Sequence, residues 1–143
     1  MRHVATALAA LGGVALTACV LFPIARRGVG SATPMRGLSD LILSGSLSHQ
    51  LPSWAGVVGY LPGIGGALLL LSEAFGPVAR LVIRVVALVP SGAVLGLFVW
   101  IVPWDSPADV GMGLQLGCLG WLLGAGALVI DLSRFRDLNL RGG

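Results

Sequence analysis

Apolar residues along this chain fall into four long runs, Val4 to Ala25, Trp54 to Ser72, Val85 to Trp104 and Val110 to Ile130, and none of them contains a charged side chain. Polar and apolar positions do not alternate within the runs, which excludes strands. Each run is close to the ~20 residues that a helix needs to cross a ~30 Å hydrocarbon core. The pattern predicts an all-α membrane protein with four transmembrane helices, at about 4–25, 54–72, 77–104 and 110–130. The third helix is extended back to Pro77 because Gly76-Pro77 stops one helix and starts the next. The turn from Glu73 to Arg80 is short enough to force an antiparallel hairpin. An outer loop, 26–53, and a mixed-charge tail, 131–143, complete one integral domain, the tail reading as a helix end fraying into the cytoplasm. In the loop, Leu38, Leu41, Ile42 and Gly45 recur at helical spacing beside Ser39, predicting a short amphipathic helix on the outer membrane surface.

Composition sharpens the class. The chain of 143 residues is 56% apolar and only 10% charged, against roughly a quarter charged for a soluble domain. An ordinary water-soluble globule and a disordered chain are both excluded. All nine basic residues are arginine, and they are sorted along the chain. With the N-terminus inside, Arg2, Arg80, Arg84, Arg134, Arg136 and Arg141 face the cytoplasm and Arg26, Arg27 and Arg36 lie outside, which gives an N-in/C-in frame. The acidic turn from Asp105 to Asp109 then falls outside, and Phe22, Trp54, Trp100 and Trp104 fall at the outer interface. Arg80, Arg84, Arg134 and Arg136 read as anchors at the inner interface.

The first run also has features of a signal peptide, and Leu16-Thr17-Ala18-Cys19 has the form of a bacterial lipobox. Its apolar character continues past Cys19 through Ile24, so an uncleaved helix is the expectation, with a lipidated Cys19 as the alternative.

In the fourth run Gly113, Gly117, Gly120, Gly124 and Ala127 recur at spacings of four and three, a stripe of small side chains that lets another backbone approach closely. It is expected to pack a helix of this chain or of another protein. Pro62 and Pro90 interrupt the second and third runs and predict kinks, with Ser91 placed to bond a freed carbonyl.

Chemistry is sparse. No membrane-embedded carboxylate of the kind a proton-coupled small multidrug pump carries stands in the first run. Glu73, Arg84 and Asp131 sit at the inner boundary, where water and headgroups can solvate them, so boundary anchoring is preferred over an ion pair. His3 and His49 fall on opposite sides of the membrane, Cys19 and Cys118 are expected to be inert thiols, and the glycines form no nucleotide loop. The expectation is a non-enzymatic protein without metal or cofactor, with no nucleic-acid partner. It lies in the lipid bilayer and acts through helix packing as an accessory or assembly subunit, its partner another membrane protein or itself. A small carrier or channel is the alternative, and a holin-like pore the third. Arg without Lys, with abundant Ala, Gly, Val and Leu, resembles in texture the small four-span proteins of high-GC bacteria. That likeness implies a bacterial inner membrane and carries no functional residues.

Overall fold

The structure is a computed structural model that describes residues 2–26, 34–45, 55–101 and 110–141. Trp54, Trp104, Arg27, His49 and the acidic turn 105–109 lie outside the described residues. Among the described residues every regular element is a helix: α1 (Arg2–Cys19), α2 (Met35–Leu43), α3 (Ala55–Val58), α4 (Leu61–Ser72), α5 (Pro77–Ile101) and α6 (Met112–Arg141). Two of these are long and apolar enough to cross a membrane, over Pro77–Trp100 and Met112–Asp137, while His3–Cys19 and Leu61–Ser72 are shorter apolar helices. Four uninterrupted spanning helices are therefore not what the chain forms.

The reasons for the shortening are local. Pro23 has no backbone N–H and disfavours helical geometry in the residue before it, so α1 stops at Cys19 and its last turn tightens, with the Leu21 amide bonded to the Ala18 carbonyl at 3.0 Å. Pro62 cannot donate to the Val58 carbonyl, and its ring would collide with it. The second run consequently breaks after Val58, turns through Gly59 and Tyr60, and restarts with Pro62 in the first turn of α4. Pro62 starts a helix where a kink was expected. Pro90 differs, since α5 runs unbroken through it. The Ser91 hydroxyl bonds the Ala87 carbonyl at 2.6 Å and lies 3.3 Å from the Leu61 carbonyl of α4. The Val86 carbonyl, which Pro90 deprives of its donor, is not its partner. In the tail no Gly or Pro interrupts the chain before Gly142, and α6 continues as helix to Arg141 where fraying was expected.

Four helices form the bundle. α1 packs against α4 and α6, and α5 closes the ring by packing against the same two. Thr6 near the start of α1, Glu73 just past the end of α4, Arg84 near the start of α5 and Asp131 late in α6 all meet at one end. The helices therefore alternate in direction around the ring. Leu16, Leu69, Leu88 and Leu114, one from each helix, are fully or almost fully buried at the centre.

At the other end, non-helical backbone closes on itself. The carbonyls of Pro23 and Ile24, left over beyond α1, accept the amides of Gly113 (2.9 Å) and Gly111 (2.8 Å), and the Val20 carbonyl accepts the Arg36 amide (3.1 Å). Helix-end carbonyls thus meet orphan donors at the starts of α6 and α2, which satisfies both without water.

α2 is the predicted amphipathic helix, but its face is different. Met35, Ser39 and Ile42 are buried while Leu41 is exposed, because α2 packs on α3, where Gly56 and Gly59 leave room for Ser39 and Leu43. Gly45 is not part of that face: at φ 80° it ends the helix, and its amide bonds the Ile42 carbonyl at 3.1 Å, a left-handed position that glycine occupies at no steric cost.

Candidate functional site

Among the described residues the charged group buried in the bundle is Arg84, and Ser72, Glu73 and Asp131 gather around it. The short turn after α4 returns the chain through Gly76 and Pro77 into α5, which places Arg84 two helical turns inside the bundle, opposite the end of α4. Its side chain is 0% exposed. One edge of the guanidinium meets α6, where Nη1 donates to Asp131 Oδ2 at 2.8 Å and to the Ala127 carbonyl at 3.1 Å. The other meets the end of α4, where Nη2 donates to Glu73 Oε1 and Nε lies 3.4 Å from Ser72 Oγ. Ser72 passes its own proton to the Leu69 carbonyl at 2.6 Å. The far oxygen of Glu73 accepts from Thr6 Oγ1 of α1 at 2.9 Å. All four bundle helices are thereby joined through one arginine.

Arginine suits this position because its planar fork offers five fixed donors and stays charged. A buried cation is tolerated only when paired and hydrogen-bonded, and here two carboxylates, a hydroxyl and a backbone carbonyl surround it. Glu73 remains 22% and Asp131 14% exposed, so the pair of acids forms the wet edge of the cluster. Burial acts to raise the Glu73 pKa, but the hydrogen bonds from Thr6 and Arg84 and the charges of Arg84 and Arg80 outweigh it and hold the carboxyl below its ordinary value.

Arg84 is thus not the solvated boundary anchor expected from its place in the sequence, and the ion pair set aside there is formed twice over. Arg80 lies on the same side of α5 one turn nearer the terminus, with Nη2 3.3 Å from the Phe75 carbonyl. Arg134 is half-buried and Arg136 exposed on α6 beyond Asp131. The side chains of Arg2 and Arg141 lie outside the description.

The small-residue stripe of α6 faces inward. A side chain at Gly113 would come within 2.4 Å of the Phe22 carbonyl, one at Gly120 within 2.8 Å of the Gly12 carbonyl and the Leu16 amide, and one at Gly117 within 2.6 Å of Leu95. Gly124 is held between Leu69 and Leu88 at 2.9 Å, and Ala127 is fully buried. The complementary glycines were missed in the sequence: Gly12 and Gly13 of α1 meet α6 and Gly66 of α4, while Gly65 meets Ser91 and Ala87 of α5. Their signal was a pair of adjacent glycines in the middle of an apolar run. Cys19 is buried, with its thiol on the Leu16 carbonyl at 2.9 Å, and both cysteines are free thiols.

Outside this core the helices are apolar. Leu11 and Val14 of α1, Val78, Val82, Val86 and Val89 of α5, and Leu119, Leu122 and Val129 of α6 are all more than half exposed, and Trp100 at the end of α5 is 83% exposed. So continuous an apolar surface is rare on soluble monomers. Two of the described helices are long and apolar enough to cross a membrane, and the exposed apolar surface is in keeping with that. Comparison of the chain with protein-family models, curated proteins and solved structures returns no match.

Proposed function

We propose that this chain is a four-span protein of a bacterial inner membrane, with both termini cytoplasmic, that serves as a non-enzymatic accessory or assembly subunit. The observation that carries the reading is the division of its surface. The fully buried Arg84 is taken up by partners within the chain, and what the bundle presents outward is an apolar belt. A protein built in this way acts through its bilayer-facing surfaces. Because the glycine stripe of α6 is covered by α1, α4 and α5 of the same chain, the partner is met by the outer faces of α5 and α6.

The shortness of α1 and α4 is compatible with spanning. At 1.5 Å per residue α1 covers about 27 Å, and in the non-helical segment after it the Val20, Pro23 and Ile24 carbonyls are satisfied inside the protein, the setting in which such backbone is tolerated at membrane depth. The second crossing is made by α3 and α4 together. The arginine frame supports the orientation, since the Arg84 cluster, Arg80, Arg134 and Arg136 all lie at the end occupied by the start of α1. Ala5, Ala9 and Leu16 pack into the core, which supports retention of α1 over cleavage at Cys19.

Purification in a mild detergent tests the proposal: a stoichiometric membrane partner or a defined homo-oligomer is expected, and a lone monomer across several detergents refutes it. A second reading, a small carrier, is favoured by one observation, the fully buried charge at Arg84, because charges inside a membrane bundle commonly mark ion or proton pathways. Solute or proton flux in proteoliposomes that disappears in Arg84→Gln supports that reading.

A further inference from the structure

We propose that the groove between α5 and α6 holds an acyl chain of an anionic phospholipid whose phosphate is met by Arg136. The inference rests on the membrane reading above and adds a ligand to it. The two helices pack less closely than the other neighbours in the ring, and between them lies an apolar groove of about 750 Å³, inside the ~300–1,000 Å³ range of small-molecule sites. Small residues keep it open: Gly92, Ala93 and Gly96 on α5 face Ala125 on α6. Trp121 forms its floor, fixed by the bond from its indole N–H to the Leu88 carbonyl at 2.9 Å, and Gly92 is what allows the indole so close. From Val85 to Val99 the groove extends about 21 Å along the helix axis, longer than the ~15 Å of one leaflet's hydrocarbon.

Its chemistry changes at the Arg84 end of the bundle. Val129 is shared with a second cavity of about 540 Å³ that is lined also by Leu132, Ser133, Phe135 and Arg136. Val129, Leu132 and Arg136 follow one another at helical spacing, so the wall of the groove runs from hydrocarbon-lined to basic; the Ser133 hydroxyl there donates to the Ile130 carbonyl at 2.9 Å. A second transmembrane helix would be matched by an apolar surface throughout. An apolar slot ending in an arginine matches a hydrocarbon chain joined to a phosphate, which arginine binds through paired N–H donors.

The test is native mass spectrometry of the detergent-purified chain titrated with dioleoylphosphatidylglycerol or dioleoylphosphatidylcholine, after confirming that the chain partitions with the membrane fraction. Loss of that partitioning refutes the membrane reading itself. Retention of phosphatidylglycerol in preference to phosphatidylcholine is expected. Arg136→Gln lowers that preference about fivefold, the factor one basic residue contributes near an anionic surface, and leaves phosphatidylcholine retention unchanged. Gly96→Phe abolishes retention of both; a Cβ at Gly96 has no atom within 4 Å, so the ring enters the groove from an open position. Ala93→Phe repeats the test from the neighbouring position. Equal retention of the two lipids, or retention undiminished in both filled variants, overturns the proposal. A dimer that dissociates on Gly96→Phe overturns it as well and assigns the groove to a second copy.

Discussion

Arg84 of α5 and Asp131 of α6 are joined by a 2.8 Å ion pair in which the arginine is wholly buried and the aspartate is 14% exposed. The two residues are 47 positions apart in the chain, and the contact fixes the depth at which α5 and α6 lie against each other. Removing the cation strips Glu73 and Asp131 of their ion-pair partner and leaves Glu73 only the bond from Thr6. Arg84→Met is therefore expected to destabilise the bundle by about 3–5 kcal/mol, measured as denaturant unfolding in detergent micelles. Combining it with Glu73→Gln and Asp131→Asn recovers more than half of the loss, because an uncharged cluster has no unpaired ion to bury.

The glycines separate by what stands opposite them. A Cβ at Gly120 meets backbone atoms of Gly12 and Leu16 at 2.8 Å, which cannot yield without moving α1, whereas at Gly124 it meets the terminal methyls of Leu69 and Leu88. Gly120→Ala is expected to cost about 1–3 kcal/mol and Gly124→Ala less. Thermal unfolding midpoints in one detergent order the two, and Gly96→Ala, which meets nothing, serves as the neutral reference.

The depressed Glu73 carboxyl makes stability depend on acid. Its folded pKa lies below the ordinary value of 4.5, so its contribution is complete above that value and is lost as pH falls through the folded pKa. Unfolding midpoints measured between pH 7 and pH 3 are expected to hold steady and then drop on the acid side. Glu73→Gln flattens this drop. Thr6→Val, which removes one hydrogen bond to the carboxylate and so raises its folded pKa, makes the drop smaller and completes it at a higher pH.

Tyr60, in the turn before α4, donates its hydroxyl proton to Asp40 of α2. The bond is exposed, so Tyr60→Phe should leave the global unfolding midpoint nearly unchanged. Amide exchange in Met35 to Leu43 should quicken, since α2 then retains only its packing on α3, the buried Met35 and the bond from the Arg36 amide to the Val20 carbonyl. Protection in α2 equal to that of the unmodified chain counts against this role.

Much of the architecture is written locally. Gly76-Pro77 sets the hairpin between α4 and α5, Pro23 and Pro62 mark where helices stop and start, and the amphipathic helix near Leu41 lies within a few residues of its predicted place, because each depends on backbone chemistry within one or two turns. The sorting of arginines and the charge-free apolar runs identify a chain built for a membrane by the same short-range reading. The state of Arg84 could not be read in this way. Beside a proline-led helix start it looks like a headgroup anchor, and only the packing of three other helices brings Thr6, Ser72, Glu73, Ala127 and Asp131 around it and excludes water. The partners of the small-residue stripe were equally out of reach: spacing shows that Gly113 to Gly124 share a face, whereas α1 meets it by backbone fit between Gly12 and Gly120 and Leu69, Leu88 and Leu95 of α4 and α5 fill against Gly117 and Gly124. Sequence alone determined the material of the helices and the ends to which their charges go. Tertiary structure decided which charges are buried and which faces stay open, because burial and pairing are properties of the space between helices, set by atoms distant along the chain.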